Sequence, residues 1–220
     1  MLSPNGVRPG VYAITPDAWP ASRILDTANV LLDAGVALLQ LRSKHLTPGE
    51  REALGVRLLP RCVERSVPLI INDDAALAAR IGATGVHIGR DDGSIEQARR
   101  LLGTQAWVGV SCYADAERAA QLAHAGASYV AFGAVYPTTS KETPHRAPLS
   151  LFREWSWTAV PTVAIGGINA DNAAPLLTAG ARWLAMIGAL WNAPDPAAVV
   201  RRIHALIDQE QLEIRFDERK

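Results

Sequence analysis

Residues 107–133, WVGVSCYADAERAAQLAHAGASYVAFG, decide the fold. The segment opens on a short run, 107–111, and closes on another, 129–133, both apolar on largely consecutive residues. Strict alternation would mark a half-exposed strand, whereas consecutive apolar residues mark a strand covered on both faces. Between the runs, 114–125 is Ala-rich with scattered charges and reads as a helix that stops at Gly126. Strand, helix and strand make one β-α-β unit, which lays its two strands parallel.

Working outward, the unit repeats along the whole chain. Comparable runs stand at 11–15, 38–42, 68–72, 85–89, 161–167 and 183–188. Helical spacing fills the gaps. Residues 22–34 carry Ile24, Leu25, Ala28, Leu31 and Leu32 on one face, with Gly35 as the stop. Thr47 and Glu50 form a capping box that opens 48–63. Residues 170–179 end at Gly180, and 196–207 form the last long helix. No GxGxxG or GxxxxGK[ST] fingerprint accompanies the alternation, so eight strands closing into a barrel are preferred to an open doubly wound sheet. The expectation is an α/β fold, one (β/α)8 TIM barrel over 1–220, with 1–10 and 211–220 as peripheral tails. Its active site sits at the C-terminal ends of the strands.

Bulk properties agree. The chain has 220 residues, and such barrels need about 200–250. Lys plus Arg, 22, equals Asp plus Glu, 22, which argues against a nucleic-acid binder that relies on overall positive charge. Cys62 and Cys112 form no CxxC pair or zinc spacing and read as reduced thiols of a cytoplasmic protein. Residues 1–10 hold no apolar core of a signal peptide, and 183–191 is too short to cross a bilayer, so no membrane partner is expected. A homo-oligomer is compatible with the sequence, and nothing in it argues for one.

The rim rule can be applied strand by strand. Gln40, Arg42 and Lys44 share one face where the second strand exits. Two cations and an amide suit a diphosphate, although solvated charges at a strand exit read equally well in isolation. Asp73 and Asp92 come from neighbouring strand ends; with a substrate phosphate they would cradle Mg2+, while helix capping is the plain alternative. Asp74 and Asp91 are read as such caps. Thr138, Thr139, Ser140 and Lys141 lie in the long connection 134–148 and offer hydroxyls and a cation. Gly166 and Gly167 precede a helix expected to open near Asn169–Asp171, and Gly188 ends the eighth run, which together suit a phosphate. His87 lies inside the fourth run and reads as a core histidine. The six tryptophans read as packing.

With those residues in place, the chain resembles the thiamine phosphate synthase family. The resemblance rests on YAIT (12–15), QLRSK (40–44), INDD (71–74), GVHIG with Asp92 (85–92), GVS (109–111), FGAVYPTTSK (132–141), VAIGGI (163–168) and 185–190, in order across nearly the whole chain. It implies a transferase that joins hydroxymethylpyrimidine diphosphate to thiazole phosphate, or its carboxylate, releasing diphosphate. Gln40, Leu41, Arg42, Ser43, Lys44, Asn72, Ser111 and Lys141 would hold the pyrimidine diphosphate, with Arg42, Lys44 and Lys141 as its catalytic cations. Asp73 and Asp92 would bind Mg2+. Thr138, Thr139, Ser140, Gly167, Ile187 and Gly188 would hold the thiazole phosphate. Arg90, Tyr113 and Gly188 depart from the family's usual Gln, His and Ser. A thiazole tautomerase and a non-catalytic barrel that binds thiamine precursors are the alternatives. The complete Asn-Asp-Asp and Thr-Thr-Ser-Lys motifs, and Tyr113 in place of the tautomerase His, weigh against both.

Overall fold

The computed structural model describes residues 3–138, 146–155 and 158–217, with side chains to 212. Eight parallel strands pair in sequence order and close through β1 and β8. They are β1 (Gly10–Ile14), β2 (Leu38–Leu41), β3 (Leu69–Asn72), β4 (Gly85–Ile88), β5 (Trp107–Tyr113), β6 (Tyr129–Gly133), β7 (Thr162–Ile165) and β8 (Trp183–Met186). Each coincides with an expected run. The surrounding helices are α1 (Ala21–Asp33), α2 (Pro48–Glu64), α3 (Ala75–Ile81), α4 (Ile95–Leu102), α5 (Ala116–His124), α6 (Leu149–Trp155), α7 (Ala174–Thr178), α8 (Gly188–Trp191) and α9 (Pro196–Asp217). The chain is a (β/α)8 barrel.

Strand alternation builds two cores. On β1, Val11 and Ala13 face the helices while Tyr12 and Ile14 face the barrel interior. All four are buried, which is why the run is apolar throughout. α1 completes the outer core with the five apolar residues its spacing predicts. The Thr47–Glu50 capping box forms as expected, each residue's side chain accepting the other's backbone N–H.

Several boundaries differ. α5 begins at Ala116, because Asp115 caps it through the Arg118 N–H. α7 begins only at Ala174, because the Asn169 side chain holds the preceding residues in a turn by accepting from the N–H groups of Asp171 and Asn172. α9 continues past 207 to Asp217.

The barrel floor is aromatic. Trp107 and Trp183 stack with centroids 6.1 Å apart, and Tyr129 meets Trp183 edge-on at 5.8 Å. The first residues close this floor from below and are not a peripheral tail. Val7 is buried in the inner core, Arg182 donates to the carbonyls of Asn5 and Val7, and Trp183 Nε1 donates to the Arg8 carbonyl. Among the described residues, no helix is long and apolar enough to cross a membrane.

Candidate active site

The exit of β2 is fixed by β1. Buried Thr15 donates its hydroxyl to the Arg42 carbonyl and accepts the Arg42 N–H at 2.8 Å. Two residues on, the Asp17 carboxylate accepts from Arg42 Nη1 at 2.6 Å and from the Lys44 N–H at 3.1 Å. Asp17 therefore holds the basic loop in shape. Asp17 is not among the residues nominated at the exits of strands two to eight; the rim rule applied to the exit of β1 reaches it. Arg42, Ser43, Lys44 and Asn72 line one cavity of about 790 Å3, within the ~300–1,000 Å3 range of ligand sites. Leu41 differs: its side chain is fully buried in the outer core, so only its backbone is available at the rim.

Asp73 and Asp92 line the same cavity. Asp73 adopts φ +62°, the left-handed region that Asp tolerates better than most residues. That turn separates it from Asp74, which caps α3 by accepting the Leu77 N–H at 2.8 Å, as expected. Asn72 Nδ2 donates to Asp73 Oδ2 at 2.5 Å, and Asp92 Oδ2 accepts the Gly89 N–H at 3.0 Å. Desolvation, then the neighbouring Asp92 charge, push the Asp73 carboxyl up to about 6, against the smaller effects of Asn72 and Arg42. Two facing carboxylates with hard oxygen donors are the chemistry a divalent cation needs. The cap of α4 is Ser94, in a capping box with Gln97, and not Asp91.

Gln40 and Ser111 lie apart from that charged wall. Gln40 is 2% exposed and donates its amide to Tyr12 Oη at 2.7 Å. Tyr12 and Tyr129 share a 2.8 Å hydroxyl–hydroxyl bond, Tyr129 Oη meets His87 Nδ1 at 3.1 Å, and His87 Nε2 meets Ser111 Oγ at 2.9 Å. His87 is thus a core histidine, as expected, with its polar atoms satisfied. Burial pushes its imidazolium down to about 4, so it is neutral at pH 7.

On the other side of the mouth, the loop after β6 runs along the exit of β7. The N–H groups of Val135 and Tyr136 donate to the carbonyls of Ile165 and Gly166. Gly166 and Gly167 have φ of +104° and +65°, and a Cβ on Gly167 would stand 2.3 Å from the Pro137 carbonyl oxygen. Only glycine lets the two loops meet, which brings Tyr136 and Pro137 against Gly167. Thr139, Ser140 and Lys141 lie outside the described residues. Ile187 caps the short α8, and Gly188 is its first residue, with an N–H that has no partner within the helix. A helix therefore opens directly after β8, at Gly188, and none opens at Asn169–Asp171. Two of the residues that depart from the family pattern touch: the Arg90 guanidinium lies 5.1 Å from the centre of the Tyr113 ring.

Comparison with known proteins follows the same residues. Residues 11–190 match the family described as thiamine monophosphate synthase. A thiamine-phosphate synthase of Methylobacillus flagellatus is 44% identical over 199 residues, covering 90% of this chain and 95% of that protein. One from Xanthomonas campestris is 46% identical over 196 residues, covering 89% and 94%. The solved thiamine phosphate pyrophosphorylase of Pyrococcus furiosus superposes with a TM-score of 0.80 at 27% identity, covering 91% of this chain and 96% of that one.

Proposed function

The chain belongs to the thiamine monophosphate synthase family and is a transferase of thiamine biosynthesis, and on that premise we propose how its residues carry the reaction. The pyrimidine diphosphate enters with its diphosphate against Arg42, Lys44 and Asn72, and Lys141, outside the described residues, would supply a further cation. The C–O bond between the pyrimidine methylene and the diphosphate breaks, and its electron pair leaves on the diphosphate. The methylene cation left behind is stabilised by the ring. The thiazole nitrogen then donates its lone pair to form the new C–N bond, giving thiamine phosphate and free diphosphate. No protein nucleophile is required.

The observation that carries this reading is the Asp73–Asp92 pair on the same cavity as Arg42 and Lys44. Asp73 and Asp92 would hold Mg2+, which when bound supplies positive charge against the diphosphate oxygens. Arg42 and Lys44 bind and orient the leaving group, and charge fixed before the reaction stabilises charge that grows during it. Asp17 keeps Arg42 aimed. On the opposite side, Thr138, Thr139, Ser140, Gly167, Ile187 and Gly188 would hold the thiazole phosphate. The barrel keeps both substrates in attack geometry.

The test is direct. Purified protein, given both substrates and Mg2+, should release thiamine phosphate and diphosphate in equal amounts, and a chelator should stop the release. Asp73→Asn should keep its circular dichroism spectrum and lose most turnover at ordinary Mg2+. Absence of product from the wild type overturns the reaction. Undiminished turnover in excess chelator overturns the metal assignment.

A further inference from the structure

Five side chains from five strands form one buried hydrogen-bonded row across the barrel interior: Gln40, Tyr12, Tyr129, His87 and Ser111. Tyr12, Tyr129 and His87 are 1%, 0% and 9% exposed. Packing holds them as well as hydrogen bonds. Tyr12 and Tyr129 meet edge-on at 6.0 Å, and His87 stacks on Tyr129 at 5.6 Å with 21° between the rings. The proposed substrate contacts are the two ends of the row.

The row has a direction. The Gln40 amide nitrogen donates to Tyr12 Oη, and the buried Tyr12 proton then goes to Tyr129, because with Tyr129 as the donor it would have no acceptor among the described residues. Tyr129, having accepted there, spends its own proton on His87 Nδ1. A neutral imidazole that accepts at Nδ1 carries its proton on Nε2, which it donates to Ser111 Oγ. The Ser111 proton then remains to be given outward, and the Gln40 carbonyl oxygen remains to accept. Turning over the Gln40 amide would reverse every link and exchange the two ends.

We propose that Tyr12, Tyr129 and His87 are positioning residues that set the hydrogen-bond polarity of the pyrimidine site, acceptor at Gln40 and donor at Ser111. This rests on the proposed reaction and on Gln40 and Ser111 as the pyrimidine contacts that the family resemblance implies. It assigns the site to heterocycles that offer an N–H donor on one side and a ring-nitrogen acceptor on the other, as an aminopyrimidine does. A ring with a carbonyl in place of the amine would bring an acceptor to the Gln40 oxygen.

Two measurements test it. Nitrogen-15 NMR of the wild-type protein at neutral pH, with His87 assigned by its absence in His87→Gln, should show a protonated Nε2 and a bare Nδ1. A protonated Nδ1, or an even mixture of tautomers, overturns the proposal. Tyr129→Phe keeps the ring and removes the link. It should raise KM for the pyrimidine diphosphate about fivefold while leaving KM for the thiazole phosphate within about twofold, the former being the scale of one neutral hydrogen bond. A merely structural role would lower activity per milligram and leave both KM values alone, and that result also overturns the proposal. If the wild type makes no product at all, the proposed reaction fails, and the tautomer still reports on the row.

Discussion

Gly109→Ala should be among the most damaging single-methyl additions to this barrel. Gly109 sits on β5 directly opposite Tyr129 on β6. A Cβ there would stand 1.9 Å from Tyr129 Cζ and 2.3 Å from its hydroxyl. Ordinary carbon–carbon contact is about 3.5–4.0 Å, so the ring must retreat by roughly 1.5–2 Å. It has nowhere to go, because Trp183 meets it at 5.8 Å on one side and His87 stacks on it at 5.6 Å on another. Overpacking costs about 1–3 kcal/mol. Displacing the Tyr129 hydroxyl also strands buried partners on Tyr12 and His87, at about 1–3 kcal/mol for an unsatisfied group. The sum is roughly 2–6 kcal/mol, and at about 2–4 °C per kcal/mol for a domain of this size Tm should fall by roughly 4–24 °C. Scanning calorimetry reads that shift. The same substitution made in a Tyr129→Ala background should cost less than about 1 kcal/mol, because the clashing ring is gone. A Tm within about 2 °C of wild type, or an equal cost in both backgrounds, would refute the reasoning.

Three other substitutions probe other parts of the site. Asp17→Asn weakens the ion pair that aims Arg42, and KM for the pyrimidine diphosphate should rise about two- to fivefold, the scale of a partly exposed pair; an unchanged KM counts against the clamp. Among the described residues a Cβ on Gly188 would meet only Asn192 Nδ2, at 3.7 Å, so Gly188→Ser should change thiazole phosphate affinity in calorimetric titration by no more than about 0.5–1.5 kcal/mol. Gly188→Val should weaken binding further, and wild-type affinity in that variant would remove the phosphate from this position. His87 is held down to about 4 from its ordinary 6.5, so the native state binds fewer protons than the unfolded chain between those values. Wild type therefore loses stability from this group as pH falls from 6.5 towards 4, by about 3 kcal/mol at most. Asp73, raised to about 6, acts in the opposite sense between its ordinary value and 6, so the total pH profile hides the effect. The Tm advantage of wild type over His87→Gln should shrink between pH 7 and pH 4.5, and a constant difference would contradict the burial argument.

The strands were legible because burial on both faces writes itself into consecutive residues, and all eight runs correspond to strands. The helices were legible where they are long. α3 and α6 have seven residues each and α4 has eight, too few turns to establish a period in the sequence. Rim residues could be nominated by their place at strand exits. What each side chain then does was less accessible. Leu41 and Gln40 are neighbours in one motif, yet one enters the outer core and the other the barrel interior, because adjacent strand residues point opposite ways. The row from Gln40 to Ser111 was illegible for a different reason. Its central bond joins Tyr12 to Tyr129 across 117 residues, and no local pattern marks such a pair. Asp17 was within reach and needed only the same rule applied to one more strand.

The floor of the barrel bears on how the chain is made. Val7 and the carbonyls of Asn5, Val7 and Arg8 leave the ribosome well before their partners, Arg182 and Trp183, which emerge about 175 residues later. At about 5–20 residues per second, the opening segment waits on the order of ten seconds or more for the strand that seats it. Closure of β1 on β8 and seating of the floor therefore wait until β8 has been made. Until then Trp107 and the first strand lack their final cover, and a nascent chain stalled short of residue 183 presents that unfinished edge to the cell's chaperones.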